Sequence, residues 1–207
     1  MYYPLFPENS DIFLITFILS IIYYFNMTFF TIETERLHLR KTDLEAYQYI
    51  YEHFSEKELS EFLGINTPEK LQKEKEKFKK GITTYNKSML LFQLLDKKNN
   101  KVIGGCGYHT WYLDHARAEI GYALTDDNFK RMGLMSEALQ PVLDYGFDKM
   151  QLHRVEAFIS PTNNASIQLV KKFGFVKEGV MRQHYQKEGQ FENSEIYSLL
   201  KEEHQKK

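Results

Sequence analysis

The chain has 207 residues, with 27 Lys and Arg against 28 Asp and Glu and a formal net charge of −1. That length fits one domain with a sizeable core, or one domain with a short appendage, and the charge balance gives no nucleic-acid footprint of the kind a basic domain carries. A sole cysteine, Cys106, excludes an internal disulfide and suits a reducing cytosol, while the seven histidines show neither HExxH nor paired-cysteine spacing, so no metal site is expected.

Residues 12–30 carry no charged side chain and approach the length that spans a bilayer as a helix. The preceding segment lacks Lys and Arg and contains Glu8 and Asp11, which does not fit a signal peptide. Read as an anchor, the stretch would hold Arg36, Arg40 and Lys41, and the domain after them, on the cytoplasmic face of a membrane. Read from Met27, Thr28 to Ile32 instead begin a first strand and the apolar stretch shortens to 12–25, too short for a comfortable span. Residues 1–26 are then an extension from a misassigned start. This second reading is preferred, because one segment cannot be both a strand and a helix end. It gives an apolar extension over 1–27 and a cytoplasmic domain over 28–207.

Thr42-Asp43-Leu44 opens a helix, with Thr42 as its cap and Leu44, Tyr47, Ile50 and Tyr51 at helical spacing. Thr67-Pro68-Glu69 starts another, whose Lys/Glu-rich face is solvated over a thin seam of Leu71, Phe78 and Ile82. Met89 to Leu95 and Val102 to Trp111 read as strands joined by Lys97-Lys98-Asn99-Asn100. Cys106 lies within the second, where cysteine behaves as a small hydrophobe; the alternative is a nucleophilic thiol, for which no base is marked out nearby. Ala116 to Leu124 alternates, with Ala118, Ile120, Tyr122 and Leu124 on one face and Arg117 and Glu119 on the other.

Lys130-Arg131-Met132-Gly133-Leu134-Met135-Ser136 then places a glycine turn directly before an amphipathic helix, a natural anion site: the first amides of a helix have no intrahelical partner and its dipole is positive there. Pro141 should kink that helix. Val155 to Ile159 reads as a buried strand, Pro161-Thr162-Asn163 as the start of a helix that ends at Gly174, and two long strands flank Glu188-Gly189. Strands and helices alternate as in an α/β protein.

The strand, the glycine turn, the Asn163/Ser166 pair and Gly174-Phe175 occur in an order and spacing that resemble the GNAT superfamily of acetyl-CoA-dependent N-acetyltransferases, most closely its RimJ/RimL-like branch. The likeness covers about Phe29 to Leu200 and includes Thr34-Glu35-Arg36-Leu37-His38-Leu39-Arg40 as an opening strand. It implies the GNAT fold: a mixed, mostly antiparallel sheet, flanked by helices and splayed between the Glu119 and Val155 strands. It also implies acetyl-CoA as co-substrate. Lys130, Gly133 and Met135 stand at the pyrophosphate-motif positions, two of them as substitutions, and Arg131, Met132, Leu134 and Ser136 complete the cradle. Tyr122, Ala123 and Leu124, with Gly121, match a bulged strand whose free amides receive the pantetheine arm. Asn163 matches a position that contacts the cofactor arm, and Ser166 the residue proposed as general acid in RimL-like enzymes. Many GNAT enzymes have a tyrosine where this chain has Val170. Asn193 replaces the branch's usual Asp, which puts a charge at that end of the site in doubt.

Glu119 is the candidate base, from its place beside the expected thioester; alternatively it is a strand-face carboxylate paired with Arg117 or Arg154. Asn163 and Ser166 also suit helix capping, and both roles can coexist. Acceptor recognition is expected from Tyr49 to Leu63 and from Met181-Arg182-Gln183-His184-Tyr185. The preferred acceptor is a protein N-terminal amine, with a polyamine, amino acid or aminoglycoside as the alternative, and a homodimer is left open. A non-catalytic acyl-CoA-binding module is the rival class. A dinucleotide-binding domain is disfavoured, because Gly104-Gly105-Cys106-Gly107 lies inside a strand and lacks GxGxxG entering a helix.

Overall fold

In the computed structural model, which describes residues 29–80 and 87–206, eight strands join into one sheet. The extension over 1–27 and Ile82 lie outside the described residues. Chain contacts divide the molecule into Met1–Phe30 and Thr31–Lys207, and every element below belongs to the second unit.

In chain order the elements are β1 (Thr31–Glu33), β2 (Leu37–Asp43), α1 (Leu44–His53), α2 (Glu56–Leu63), α3 (Pro68–Lys80), β3 (Lys87–Asp96), β4 (Val102–Tyr112), β5 (Arg117–Leu124), α4 (Leu134–Asp148), β6 (Arg154–Ile159), α5 (Asn164–Lys172), β7 (Val176–Lys187), β8 (Gln190–Leu200) and α6 (Lys201–Gln205). The sheet runs β1-β2-β3-β4-β5-β6-β8-β7, and only β5 and β6 pair in parallel. This is the mixed, mostly antiparallel sheet with flanking helices that the resemblance implies.

Alternation decides what each face buries. Leu37, Leu39, Phe92, Leu94, Tyr108 and Ala118 form the core with Ala138, Leu139, Val142, Leu143 and Phe147 of α4. Each large apolar side chain removed from water there contributes roughly 1.5–3 kcal/mol. The Tyr108 hydroxyl donates to the Val142 carbonyl at 2.9 Å. Gly146 makes room for it, since a Cβ on Gly146 would stand 2.1 Å from that oxygen. Pro141 lies inside α4, which continues through it with the amide to the Glu137 carbonyl removed.

On the opposite face Arg40 and Gln93 bond to the Phe62 carbonyl, each at 2.8 Å, and the Arg40 guanidinium lies 3.8 Å from the Phe62 ring centre. Burial brings Arg40 down to about 10. One local expectation is corrected here. Thr42 is not a cap but a buried residue of β2 whose hydroxyl donates to the Leu91 carbonyl; Asp43 caps α1 by accepting from the Ala46 amide at 3.1 Å. The segment Tyr49 to Leu63 takes in the end of α1 and all of α2, which Ser55 and Glu58 start anew with a capping box.

At the C-terminal end of α5, the Phe175 amide donates to the Val170 carbonyl and the Gly174 amide to that of Lys171, a Schellman closure around Gly174 at φ 76°. The β7–β8 hairpin turns on Glu188 and Gly189, both at positive φ, as a two-residue type I′ connection requires.

Candidate active site

β5 and β6 pair through only three steps, Arg117 with Arg154, Ala118 with Val155 and Glu119 with Glu156, and then diverge. The expected splay is therefore present. It opens a cavity of about 240 Å³ lined by His109, Glu119, Gly121, Tyr122, Ser160, Asn163, Ser166 and Tyr185 and by apolar residues of β5 and β6.

The vertex of the splay is clamped. Glu156 accepts from Arg117 at 2.7 Å and from Arg154 at 2.8 Å, and Arg154 also grips Glu178 with two nitrogens, at 2.7 and 2.5 Å. This network overturns the alternative reading of Glu119. Its arginine partners are engaged by Glu156 and Glu178, and Glu119 instead meets His109 Nε2 at 3.1 Å and the Tyr185 hydroxyl at 3.3 Å.

The bulge is also relocated. Gly121 to Leu124 pair in unbroken register with Gly107 to Gly104, and the extra residue lies on β4, where Tyr108 faces Ile120 but Thr110 faces Glu119. What frees the amides is the end of the β5–β6 pairing. The Thr125 amide bonds to the Ile103 carbonyl of the β4 side, so antiparallel alternation turns the amides of Tyr122 and Leu124 towards the splay.

Gly133, at φ 76°, is the N-cap of α4 and supplies no side-chain cap, which leaves the amides of Leu134, Met135 and Ser136 for an anion. Arg131 is also left-handed, at φ 62°. A Cβ on Gly133 would meet only Arg36 Nη2, at 3.6 Å, so conformation rather than space requires glycine there. Lys130 pairs with Asp127 at 2.5 Å, Met132 is exposed, and Lys172 donates to Ser136 Oγ at 2.6 Å, which sets an ammonium beside the cradle.

Arg36 was not expected in this region, nor was Glu137. Glu137 accepts from the Thr34 hydroxyl at 2.5 Å and from the Arg36 amide and Nε at 2.7 Å each, while Arg36 Nη1 donates to the Met132 carbonyl at 2.9 Å. Partial burial opposes charge on Glu137, but these donors outweigh it and lower its pKa. They fix the turn from the far end of the chain, a link no local pattern reveals.

Asn163 caps α5, its Oδ1 accepting from the Ser166 amide at 3.1 Å, so the capping role is real and Ser166 keeps its hydroxyl free of that bond. The Tyr122 hydroxyl is buried and completes no hydrogen bond among the described residues. Burial pushes it up to about 12, with Ser166 offsetting part of the effect. Val170 is fully buried, so the common tyrosine position is core here. Cys106 is buried and burial pushes its thiol up, which removes the nucleophile alternative.

The cavity draws no lining from Tyr49 to Leu63, where Tyr49 stacks on His53 at 4.6 Å, Phe54 meets Phe62 edge-on at 5.6 Å and Tyr51 stacks on Phe78 of α3 at 4.1 Å. Met181, Arg182 and Gln183 with Asn193 line a separate depression of about 580 Å³. Asn193 Oδ1 accepts from the Gln183 amide at 2.9 Å and so holds the irregular turn of β7, a task that needs no charge.

Residues 36–176 match the acetyltransferase (GNAT) domain family. The uncharacterized N-acetyltransferase p20 of Bacillus licheniformis is 32% identical over 175 residues, which cover 84% of this chain and 98% of p20. Two solved structures share the fold. The spermidine/spermine N-acetyltransferase SpeG from Vibrio cholerae aligns over 83% of this chain and 96% of its own, with a TM-score of 0.61 and 18% identity. RimL, a ribosomal L7/L12 alpha-N-protein acetyltransferase in complex with coenzyme A, aligns over 83% of this chain and 98% of its own, with a TM-score of 0.60 and 19% identity.

Proposed function

The chain belongs to the GNAT family and is an N-acetyltransferase, and from that premise we propose that it moves the acetyl group of acetyl-CoA to a protein N-terminal amine, by direct transfer in a ternary complex. One observation carries this reading: a cavity in the splay of β5 and β6 that brings Glu119, Tyr122, Asn163 and Ser166 together.

Acetyl-CoA supplies the acetyl group as an activated thioester. The chain offers its pyrophosphate the uncapped amides of Leu134, Met135 and Ser136, in a turn shaped by Arg131, Met132 and Gly133, with Lys130 as a nearby cation. Splay-facing amides of Tyr122 and Leu124, flanking Ala123, suit the amide-bearing arm, and Asn163 lies across the gap from them. Ser166 directs a proton to the departing sulfur. A thiol of ordinary pKa, about 8.5, leaves as a fairly stable thiolate, so a hydroxyl that orients the proton suffices. Glu119 supplies the basic side of the site.

The acceptor assignment rests on charge. Glu119 is the only acidic side chain among the described lining residues, which suits a single ammonium at the end of a peptide better than a polycation. Arg182 beside the neighbouring depression adds a positive charge that a polyamine would meet unfavourably.

The test is CoA release by the full chain from acetyl-CoA, with short peptides of varied N-termini, polyamines, amino acids and aminoglycosides as acceptors. Release confined to peptides supports the proposal. Release confined to small amines replaces the acceptor, and tight acetyl-CoA binding without release from any acceptor favours a non-catalytic binding module.

A further inference from the structure

Glu119 does not meet the cavity alone. β4 carries one residue more than β5 between the pairs Tyr108–Ile120 and Thr110–Glu119, and the extra residue is His109. A bulge re-aims a side chain, and this one lays an imidazole across β5. A Cβ on Gly121 would stand 2.8 Å from His109 Nδ1 and 3.0 Å from Cε1, so the ring occupies the space that glycine leaves. The other nitrogen, Nε2, is 3.1 Å from Glu119 Oε1, and Tyr185 donates its hydroxyl to the same oxygen at 3.3 Å.

Chemistry then assigns the protons. A carboxylate can only accept, so Glu119, standing beside Nε2, favours the tautomer that carries its proton there and keeps the lone pair on Nδ1. Nδ1 lies over Gly121, at the head of the strand segment that runs along the splay. Exposure points the same way: the His109 side chain is 44% exposed and that of Glu119 13%, so the ring is the more accessible of the two to an entering amine.

We propose that His109 is the catalytic residue that takes the proton from the acceptor amine, with Glu119 as the positioning residue that sets its tautomer and Tyr185 as the residue that steadies Glu119. This inference rests on the acetyl-transfer reading above. As the amine nitrogen bonds to the acetyl carbon, its N–H proton passes to Nδ1. The carbon–sulfur bond breaks with its electron pair kept by sulfur, which takes one proton through Ser166. The imidazolium, stabilised by Glu119, then gives its proton to solvent and Ser166 regains from solvent the proton it passed to sulfur, so the one proton lost by the amine matches the one gained by the thiol. The titratable groups that face the ring are Glu119 from β5 and Tyr185 from β7. Tyr122 and Ser166 also line the cavity, and β6 contributes Ala157, Phe158 and Ile159 and the turn after it Ser160, none of them charged.

The experiment measures kcat against pH, at saturating acetyl-CoA, for the full chain and for His109→Ala, His109→Gln and Glu119→Gln, with acetyl-CoA Kd and added imidazole as further readouts. For His109→Ala we expect a fall in kcat of about 100-fold or more, loss of the acid limb of the pH profile, an unchanged acetyl-CoA Kd and partial recovery with imidazole. Glu119→Gln should keep an acid limb at a displaced position. An unchanged kcat and profile in both His109 variants would overturn the proposal, as would a loss that keeps the acid limb and does not respond to imidazole. A wild-type chain that releases no CoA with any acceptor would instead overturn the acetyl-transfer reading beneath it.

Discussion

Glu119 and Glu156 face each other in the last paired step between β5 and β6, and only one of them is bound by arginine. Arg117 and Arg154 both converge on Glu156, which is 8% exposed, and this leaves Glu119 to His109 and Tyr185. The same pair of glutamates thus closes the strand pairing and begins the cavity. Replacing Glu156 with alanine would leave two guanidiniums facing a gap at the vertex of the splay. A loss of about 3 kcal/mol is expected, the lower part of the range for breaking a buried pair because both arginines are partly solvated. Urea denaturation measures it, and acetyl-CoA affinity should fall with the loosened splay.

Gly146 is expected to tolerate no side chain. Its added Cβ would meet the Tyr108 hydroxyl oxygen at 2.1 Å and the ring carbon bearing it at 2.6 Å. Tyr108 is fully buried, so it cannot swing aside into solvent. Gly146→Ala should therefore destabilise the chain by about 1–3 kcal/mol, despite the better helix propensity of alanine. Combining it with Tyr108→Phe should recover only part of the loss, because the ring carbon remains too close. A thermal-melting cycle of the four proteins tests this.

How much of this was legible in the sequence depends on how local its cause is. The segment 89–95 reads as a strand and β3 spans Lys87–Asp96; the glycine turn at Gly133 and the cap at Asn163 are likewise local and stand where the pattern places them. The break at Ser55 was also readable, since Ser55-Glu56-Lys57-Glu58 spells a capping box. His109 was not readable as part of the site. It is an ordinary strand residue until one knows that β5 carries one residue fewer opposite it. Arg36 and Glu137 are 101 residues apart, and only the packing of α4 beside β2 brings them together.

Acid should weaken the fold through Glu178. Hydrogen bonds from Arg154 and then Ser198 hold its carboxyl at about 2, below the ordinary value of 4.5. A depressed folded-state pKa means that the unfolded chain takes up the proton first as pH falls. The stabilisation is therefore fully present above about pH 4.5 and is lost as pH falls towards 2. Glu178 is 41% exposed, so solvent screening reduces its contribution to about 1 kcal/mol or less. Glu178→Gln should flatten the stability–pH curve in that window and leave its slope near neutrality unchanged.

Gly133→Glu tests the cradle. It places a carboxylate at the opening of α4, where the uncapped amides are proposed to meet phosphate, and forces a residue with a Cβ to φ 76°. The conformational strain alone costs roughly 1–2 kcal/mol of stability. Acetyl-CoA binding should fall far more than that strain explains, by at least 100-fold in titration calorimetry. Gly133→Ala separates the two effects: it carries the strain without the charge and should keep most of the affinity.

Ser166→Ala asks whether the hydroxyl acts in the reaction or only packs. Asn163 caps α5 through the Ser166 amide, which alanine retains, and alanine is favourable within a helix. Stability and acetyl-CoA affinity should therefore change little. The hydroxyl lies in the cavity beside the buried Tyr122 hydroxyl, which completes no hydrogen bond among the described residues. If Ser166 directs the proton to sulfur, kcat should fall by about 10-fold or more while acetyl-CoA Kd holds, the split expected when an interaction of the transition state alone is removed. Tyr122→Phe should then show a smaller loss, and the double variant should be no slower than Ser166→Ala, because the two hydroxyls would serve one path. Steady-state rates at saturating acetyl-CoA decide it, and an unchanged kcat in Ser166→Ala would return the residue to packing.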